Sequence, residues 1–596
     1  MIHSNAIPDR TGSNAFEDDP EFEALLKLYL EPELFQHLLP HFKRLGALVG
    51  GPMEQWARDA DINPPVLEHR SRRGIDQQSV IKHPSYIEME RIAFEDFGLA
   101  AMSHRGGVLG WPQVMPAAAK YALSYLFVQA EFGLCCPLSM TDSLSRTLRK
   151  FGDPSLVERY LAELTSQDLD SLAQGAMFMT EQGAGSDVAA TETRAELDAS
   201  SAAHAAAQPA QCPSWRLYGD KWFCSNPDAA LAMVLARSEQ GEAGMRGVSL
   251  FLLPKFLPDG SRNHYRIVRL KDKLGTRSMA SGEIRLEGAC AWLVGERGRG
   301  FVQMADMVNN SRLSNGMRAA GMMRRAASEA LFIARNRQAF GKRLIEMPLM
   351  QKQLAKILMS TEEARAMMFQ AAECLRRSDA GDAEAYALTR LLTPLIKFRA
   401  CRDARKVTGD AMEVRGGCGY IEEWGDARLV RDAHLGSIWE GTSNIVALDV
   451  MRAIQRENAL PIWKTHVQGL LMGSAWPEAR KREVQALLDR TDALARQASQ
   501  KGAEHLARQT ASALYHLTAS VTMAWEATQI GSSQRLLLAD LVLSHRLIPR
   551  DPLSPIQEES LQCLFQSGSK NEHAGRYPTH VSKPINNSPL ASNLTE

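Results

Sequence analysis

The chain has 596 residues, of which 45% are apolar and 23% charged, so it is long enough for several packed domains. Lysine plus arginine equal aspartate plus glutamate at 69 each, which excludes a protein that is basic throughout and restricts any nucleic-acid contact to a local patch. The 9 cysteines show no CxxC pair and no zinc-binding spacing, so we expect free thiols and no metal centre. The sequence shows no secretory leader and no apolar run of about 18 residues, which predicts a cytoplasmic protein without a membrane contact.

The first half of the chain divides into three predicted parts. Residues 1–20 are polar and predict a flexible N-terminus. Residues 21–175 carry apolar side chains at spacings of three and four, which predicts an N-terminal helical domain. Residues 176–295 contain short apolar or alternating runs such as KWFCS and LAMVLA, which predict a middle β domain. Within it we predict a tight hairpin at residues 218–221 and a surface loop over the alanine-rich residues 196–214.

Helical periodicity returns after the β domain. Residues 296–456 predict a helical bundle, and the clearest single helix lies over residues 353–377. Residues 457–550 predict an additional helical region. Residues 551–596 are rich in proline, asparagine and serine and predict a mostly disordered tail.

Three segments have compositions suited to a bound cofactor. In MFMTEQGAGSDV, residues 177–188, small side chains after a strand let backbone N–H groups approach a phosphate or a flavin. GDKWFCSN, residues 219–226, offers an aromatic wall for a planar ring. RNRQAFG, residues 335–341, offers an arginine to a pyrophosphate. Taken singly, each segment is more typical of an ordinary turn, a hairpin or a solvated helix end.

A fourth segment, WEGTSN, contains a candidate general base. Glu440 follows the apolar pair Ile438-Trp439, and Gly441-Thr442-Ser443 predicts the start of a helix. A carboxylate held against an aromatic ring at a helix start suits proton abstraction. The same position also suits an acid that only complements the helix dipole.

The order of these segments along the chain favours the functional interpretation. MTEQGAGSD, GDKWFCSN, KLGTRS, GERGRGF, RQAFG, GGCGY and WEGTSNI occur in the order and spacing of the acyl-CoA dehydrogenases, over roughly residues 80–456. The resemblance implies an α+β, mainly α fold with an N-terminal helical domain, a middle β-barrel domain and a C-terminal four-helix domain. DINPPVLEHRSRRG, FGLCCPLSMT, Trp439 in place of a tyrosine and the additional helical region are most similar to the adaptive-response, AidB-type branch.

The resemblance also implies an activity and a set of site residues. It implies FAD-dependent α,β-dehydrogenation of an acyl-CoA thioester, with Glu440 as the base. Ser311 stands where some members carry the base, so no competing base exists there, and the glutamate argues against the nitroalkane oxidases, which use aspartate at this position. Sharing of FAD between neighbouring subunits implies a homotetramer. The implied FAD contacts are Met177, Met179, Thr180, Gly185, Ser186, Phe223, Ser225, Arg337, Phe340, Gln351, Gly416, Gly417, Thr442 and Asn444.

The AidB-type branch further implies association with double-stranded DNA through the C-terminal region and a role in the response to DNA alkylation. Residues 451–550 contain 13 Lys/Arg and 8 Asp/Glu, a net charge of about +5. The candidate contacts are Arg480, Lys481 and Arg482, joined by Arg452. An excess of this size is also usual on a solvated face. An ordinary metabolic acyl-CoA dehydrogenase without DNA binding is therefore the alternative.

Overall fold

The computed structural model describes residues 6–207, 212–239, 241–553 and 559–565. The first part is helical and includes a two-stranded antiparallel ribbon, β1 Val66–Arg70 with β2 Asp76–Ile81, that the periodicity did not predict. Proline opens α1, α2, α3, α4 and α7, where its missing N–H costs nothing. The helices are α1 Pro20–Tyr29, α2 Pro32–Gly50, α3 Pro52–Ile62, α4 Pro84–Glu90, α5 Ala117–Phe127, α6 Cys135–Phe151 and α7 Pro154–Leu164.

Residues 12–16, before α1, are packed, in contrast to the flexible N-terminus predicted over residues 1–20, of which residues 1–5 lie outside the described residues. The Gly12 N–H donates to the Gly50 carbonyl at 2.7 Å, and the Ala15 N–H donates to the Gly46 carbonyl at 3.0 Å. A Cβ atom on Gly46 would lie 2.1 Å from Asn14 Oδ1. The two glycines therefore leave a groove along α2, and residues 12–16 fill it.

The middle part is a ring of β strands. The strands are β3 Gly175–Phe178, β4 Arg194–Leu197, β5 Ser214–Ser225, β6 Leu231–Arg237, β7 Val248–Pro254, β8 Tyr265–Leu270 and β9 Ser281–Val294. Pairing runs from β6 through β4, β5, β9 and β7 back to β6, with β3 added to β6 and β8 to β9. The predicted middle β domain is confirmed.

The predicted hairpin at residues 218–221 is wrong, because β5 runs straight through it. Gly219 has φ +142°, and a Cβ there would lie 2.9 Å from the Thr193 Cα. The glycine thus permits a close approach of two chain segments instead of a turn.

The predicted loop over residues 196–214 is also wrong in part, because Ala199–Ala207 forms helix α8. The Asp198 carboxylate accepts hydrogen bonds from the backbone N–H groups of Ser200 and Ser201 at 3.1 and 3.3 Å. This cap, together with the high helix propensity of alanine, stabilises the helix. Residues 208–211 of the predicted loop lie outside the described residues.

The C-terminal part begins with a bundle in which α9, α10 and α11 pack on one another. Helix α10 confirms the helix predicted over residues 353–377. A short hairpin, β10 Gln338–Ala339 with β11 Lys342–Arg343, projects between α9 and α10. The helices are α9 Gly300–Asn336, α10 Pro348–Asp379, α11 Ala383–Arg415, α12 Gly425–Gly436 and α13 Ser443–Arg456.

The additional region is helical and packs through α16 on α10, α11 and α13. Its helices are α14 Ala459–Met472, α15 Glu478–Ala498, α16 Ala507–Ile530, α17 Ser533–Arg546 and α18 Glu559–Phe565. Most of the predicted tail, residues 554–558 and 566–596, lies outside the described residues. Among the helices that the structure describes, none has the length and apolar character needed to cross a membrane.

A buried ionic cluster fastens this region to the rest of the protein. The Arg535 guanidinium on α17 pairs with Glu21 at 3.1 Å, Glu362 at 2.7 Å and Glu526 at 2.5 Å. These carboxylates belong to α1, α10 and α16. Helices from both ends of the chain and from the bundle therefore share one buried charge network.

Candidate active site

Two segments predicted to contact a flavin lie side by side in the β domain. The Trp222 N–H donates to the Thr180 carbonyl at 2.8 Å, which places the end of β5 beside the loop after β3. Phe223 is 56% exposed, an unusual position for a large apolar ring. A Cβ atom on Gly183 or Gly185 would meet nothing within 4 Å, so open space faces this loop. Met177 and Met179 on the same segment are half-buried against the core.

Glu181 anchors the glycine-rich loop from within. Its carboxylate accepts hydrogen bonds from the Glu192 N–H at 2.7 Å, the Thr193 hydroxyl at 2.6 Å and the Lys221 ammonium at 2.6 Å. Burial lowers the pKa of Lys221, against the attraction of Glu181. The loop is thus held on its inner side, while the backbone of Gly185 and Ser186 remains on the open side.

The candidate base lies on a strained turn between α12 and α13. Glu440 has φ +54°, a left-handed conformation that costs free energy in any residue other than glycine. The Arg312 guanidinium donates from Nε to the Glu440 carbonyl at 2.9 Å. The Lys397 ammonium donates to the carbonyl of Gly441, whose own φ is +99°. Two buried cations from α9 and α11 therefore fix the backbone of this turn.

The carboxyl group of Glu440 is only partly satisfied. Its Oε2 atom is buried and has no hydrogen-bond partner, although the residue as a whole is partly accessible. The Ser311 hydroxyl faces it without reaching regular hydrogen-bond geometry. Burial raises the pKa of Glu440, while Ser311, Arg312, Lys397 and Arg318 act in the opposite direction. The group is therefore a stronger base than an exposed glutamate.

Cys136 at the start of α6 connects the two halves of the site. Burial raises the pKa of its thiol; Ser225 acts to lower that pKa and the charge of Glu440 to raise it. Ser225 ends β5, and Glu440 lies on the bundle. The predicted flavin face and the predicted base consequently meet around this thiol.

The remaining predicted FAD contacts form a second group elsewhere on the chain. The Arg337 guanidinium donates to the Arg415 carbonyl at 2.9 Å, and a Cβ on Gly416 would lie 3.9 Å from Arg337 Nη1. The Gln351 amide donates to the Ile345 carbonyl at 2.9 Å. Within the described ranges, no hydrogen bond or ion pair joins this second group, which includes Phe340 and Gly417, to the first.

Phe340 occupies the tip of the β10–β11 hairpin. It is 97% exposed and has φ +52°. A fully exposed aromatic ring on a strained turn makes no contribution to the core of its own chain. Such a ring is suited to a contact outside this chain.

Thr442 and Asn444 lie at the start of α13. Thr442 is the N-cap residue, as the sequence predicts, but its side chain makes no capping hydrogen bond. Both side chains are exposed beside the base turn. They are thus free to contact a ligand.

The candidate DNA contacts are mostly engaged within the chain. Arg480 pairs with Asp540 at 2.8 Å and with Glu483 at 2.7 Å, and Lys481 pairs with Glu478 at 3.3 Å. Arg452 lies 3.9 Å from Asp449. Arg482 is exposed and has no ion pair among the residues that the structure describes.

Sequence reasoning missed three residues of the site: Lys397, Arg318 and Cys136. Lys397 interrupts an apolar helical stripe in TPLIKFRAC, which was a usable signal, because a buried lysine requires a specific partner. Arg318 stands among several arginines of α9 and carried no distinguishing pattern. Cys136 is one of the expected free thiols, and nothing in its segment indicates its place between Ser225 and Glu440.

Three family models match the sequence. They are the N-terminal domain of the adaptive response protein AidB over residues 5–171, the acyl-CoA dehydrogenase middle domain over residues 176–289 and the acyl-CoA dehydrogenase C-terminal domain over residues 298–455. The chain belongs to the acyl-CoA dehydrogenase family. Members of this family depend on FAD.

This acyl-CoA dehydrogenase family member is similar along most of its length to other proteins of the family. It is 32% identical to acyl-CoA dehydrogenase family member 11 of Caenorhabditis elegans over 471 residues, which are 77% of this chain and 73% of the relative. It is 35% identical to AidB of Escherichia coli K12 over 412 residues, 67% of this chain and 71% of the relative. The structure of C. elegans ACDH-11 in complex with C11-CoA matches with a TM-score of 0.84 at 27% identity and covers 92% of this chain and 94% of that chain. The predicted family, its AidB-type resemblance and the fold are confirmed.

Proposed function

We propose that this protein is an FAD-dependent acyl-CoA dehydrogenase in which Glu440 removes the α-proton of an acyl-CoA thioester. The observation that carries the proposal is the buried Oε2 of Glu440, which has no partner and stands on a turn fixed by Arg312 and Lys397. A carboxylate with an unused, desolvated oxygen is prepared to accept a proton from a bound substrate. The complex of ACDH-11 with C11-CoA supports a thioester of coenzyme A as the ligand class.

The residues present suit a flavin. The exposed Phe223 ring beside Ser225 and the open side of Gly185 offer an apolar wall and backbone donors to an aromatic cofactor. FAD, when bound, supplies the acceptor for the hydride that leaves the substrate β-carbon. We propose that one chain holds it with Met177, Met179, Thr180, Gly185, Ser186, Phe223, Ser225, Thr442 and Asn444.

Glu440 carries the proton transfer. The α-proton of a thioester is a weak acid, so an exposed glutamate would be an inefficient base. Burial raises the pKa of Glu440 and brings it closer to that of the substrate. The proton ends on Glu440, and Arg312 and Lys397 hold the turn in place while its carboxyl group changes charge.

Anaerobic absorbance of the flavin tests this proposal. Wild-type protein containing FAD is titrated with a panel of acyl-CoA thioesters, and Glu440→Gln is the matched variant. We expect at least one thioester to bleach the wild-type flavin, and the variant to bind FAD normally but to bleach about 100-fold or more slowly. Equal bleaching rates in the two proteins would exclude Glu440 as the base.

We further propose that the active protein is a homotetramer in which neighbouring chains complete each FAD site. The second group of predicted contacts, Arg337, Phe340, Gln351, Gly416 and Gly417, supports this, because Phe340 is almost fully exposed on its own chain. Phe340→Ala should lower the FAD content per chain without lowering the melting temperature of the isolated chain. Light scattering reports the assembly, and an unchanged FAD content would contradict the sharing.

A second proposed property is association with duplex DNA in the alkylation response, as in the AidB-type branch. A cluster of four arginines, Arg399, Arg402, Arg405 and Arg508, supports this association. Burial lowers the pKa of Arg402, and the charges of the other three lower it further. Arg405 and Arg508 are exposed. Cations that repel one another at a surface favour a polyanion as their counterpart. An ordinary metabolic enzyme without DNA binding remains the alternative.

Two triple variants separate the candidate DNA surfaces. Neutralising Arg402, Arg405 and Arg508 to glutamine should reduce the slope of log Kobs against log salt by about 3, since each phosphate contact contributes about 0.9. Neutralising Arg480, Lys481 and Arg482 should change the slope less, because the first two are already paired. If neither variant weakens DNA binding, neither surface is the contact. If the wild type binds no DNA, the metabolic alternative holds.

A further inference from the structure

One buried arginine near the candidate base differs from all the others in the C-terminal part. Arg318 on α9 is 1% exposed, and it forms no ion pair with any described residue. Every other buried arginine after residue 300 has a carboxylate within 4.0 Å; these are Arg324, Arg325, Arg365, Arg415, Arg428 and Arg535. Buried charges are normally paired, so the missing counter-charge of Arg318 is informative.

The protein satisfies this guanidinium only in part. Its Nε and Nη2 both donate to the Ser314 hydroxyl, at 3.3 and 3.2 Å. Its cationic carbon lies 5.1 Å from the centre of the Trp439 ring. Nη1 is buried and has no hydrogen-bond partner. A buried N–H donor without an acceptor is rare in folded proteins and is expected where a ligand supplies the acceptor.

The position of Arg318 relates it to the substrate. It lies near enough to Glu440 to influence the pKa of that carboxyl group. Side chains on a helix lean towards its N-terminus, so the guanidinium lies over Ser314, about one helical turn beyond Ser311, which faces the base. The unpaired guanidinium thus lies further along α9 than the site of proton abstraction.

The space beside Ser314 is small. A cavity of about 20 Å³ is lined by Ser314, Met317, Ser139 and Lys120, among others. It has room for a water-sized group rather than a long aliphatic tail. The Lys120 ammonium is already paired with Asp142 at 3.0 Å, whereas the Ser139 hydroxyl is buried without a partner. This small space therefore contains the unpartnered Ser139 hydroxyl, and the unpaired guanidinium of Arg318 adjoins it through Ser314.

We propose that the acyl group of the substrate is short and ends in a carboxylate, and that Arg318 binds this carboxylate. This inference rests on the proposed acyl-CoA dehydrogenase function. A carboxylate accepts two N–H bonds from one guanidinium and supplies the missing counter-charge. One helical turn, about 5.4 Å, is close to the separation between the α-carbon and the terminal carboxylate in a glutaryl or adipyl chain. This acyl group would differ from the C11 chain in the structure of ACDH-11 with C11-CoA.

Matched thioester pairs test the inference on the FAD-containing protein. Glutaryl-CoA is compared with valeryl-CoA, and adipyl-CoA with hexanoyl-CoA, by the dissociation constants and bleaching rates obtained from anaerobic flavin absorbance. We expect the wild type to favour the carboxylate-bearing member of a pair by about 10- to 100-fold, the range of a charge-assisted hydrogen bond. Arg318→Met should reduce this ratio to about one, and Arg318→Lys should retain part of it.

The melting temperature, measured without substrate, shows whether a variant fails to fold. Because Arg318 is buried without a counter-charge, Arg318→Met should leave the melting temperature unchanged or raise it. Arg415→Met is the control: it removes a guanidinium paired with Asp426 at 2.6 Å and should lower the melting temperature. Equal destabilisation by both variants would show that Arg318 has a structural partner and would overturn the inference.

The remaining outcomes are distinguishable. The same pair ratio in the wild type and in Arg318→Met would exclude recognition of the acyl terminus by Arg318. An equal loss of rate for both members of each pair in Arg318→Met would place Arg318 at the reaction centre and would also overturn the inference. If neither series perturbs the wild-type flavin while another acyl-CoA thioester bleaches it, this inference fails and the proposed function stands. If no acyl-CoA thioester bleaches it, both fail.

Discussion

The ammonium group of Lys397 donates a hydrogen bond to the backbone carbonyl of Gly441, the residue after the candidate base. Burial lowers the pKa of this lysine to about 8, so part of its charge is lost under mildly alkaline conditions. Lys397 also opposes the rise in the pKa of Glu440. The lysine therefore acts on the base both through the backbone of the turn and through its charge.

Replacing this lysine should change the pH dependence of the reaction. Glu440 must be ionised to act, so kcat/KM rises as pH increases through its raised pKa. Lys397→Met removes a cation that lowers this pKa, and the acid limb of the profile should move to higher pH. Lys397→Arg keeps the charge and is the control. An acid limb at the same pH in the wild type and Lys397→Met would show that Lys397 only supports the backbone.

The Arg535 cluster should be a major source of stability. Arg535→Met leaves Glu21, Glu362 and Glu526 without their shared cation, and we expect a loss of about 3–5 kcal/mol in the free energy of unfolding. Arg376→Met removes an exposed pair with Glu373 and should cost about 1 kcal/mol or less. Chemical denaturation of both variants makes the comparison. Similar losses would mean that the cluster is no stronger than a surface pair.

Asp432 should make stability depend on pH. Burial raises its pKa from 3.8 to about 7, and its carboxyl group accepts a hydrogen bond from the Thr276 N–H at 2.6 Å. Between pH 3.8 and about 7, the folded protein keeps a proton on Asp432 that the unfolded chain has already released. The free energy of unfolding therefore decreases as pH rises from 3.8 to about 7.

Asp432→Asn keeps a side-chain oxygen that can accept the hydrogen bond from the Thr276 N–H, but the asparagine cannot ionise. Its melting temperature should fall less than that of the wild type between about pH 5 and about pH 8, and should exceed the wild-type value at the upper end. Parallel slopes for the two proteins would exclude Asp432 as the source.

The groove on α2 should tolerate no side chain. A Cβ on Gly50 would lie 2.0 Å from the Ser13 carbonyl oxygen, so Gly50→Ala should displace the N-terminal segment and cost about 1–3 kcal/mol. Gly469→Ala on α14 meets nothing within 4 Å and should stabilise its helix by up to about 1 kcal/mol. Limited proteolysis should cleave the segment before α1 in the first variant only. Resistance equal to the wild type would contradict the packing.

The sequence predicted the parts of this protein that depend on local pattern. Periodicity of three and four located helices such as α10, and co-occurring motifs identified the family and proposed Glu440 as base. It did not predict the packing of residues 12–16, because that depends on two glycines in α2 that carry no local signal of a groove. Nor could it distinguish Arg318 from Arg325, since the two differ only in whether tertiary structure brings a carboxylate near.

The Arg535 cluster also bears on how the chain is made. Arg535 leaves the ribosome after almost all of the other described residues, yet its carboxylate partners begin with Glu21 in the first helix. Domains generally fold from the N-terminus as synthesis proceeds. When translation has proceeded only as far as the bundle, Glu21 and Glu362 can therefore pair with Arg365, but Arg535 has not yet been synthesised. Completion of the native interior is thereby coupled to translation of the final helices.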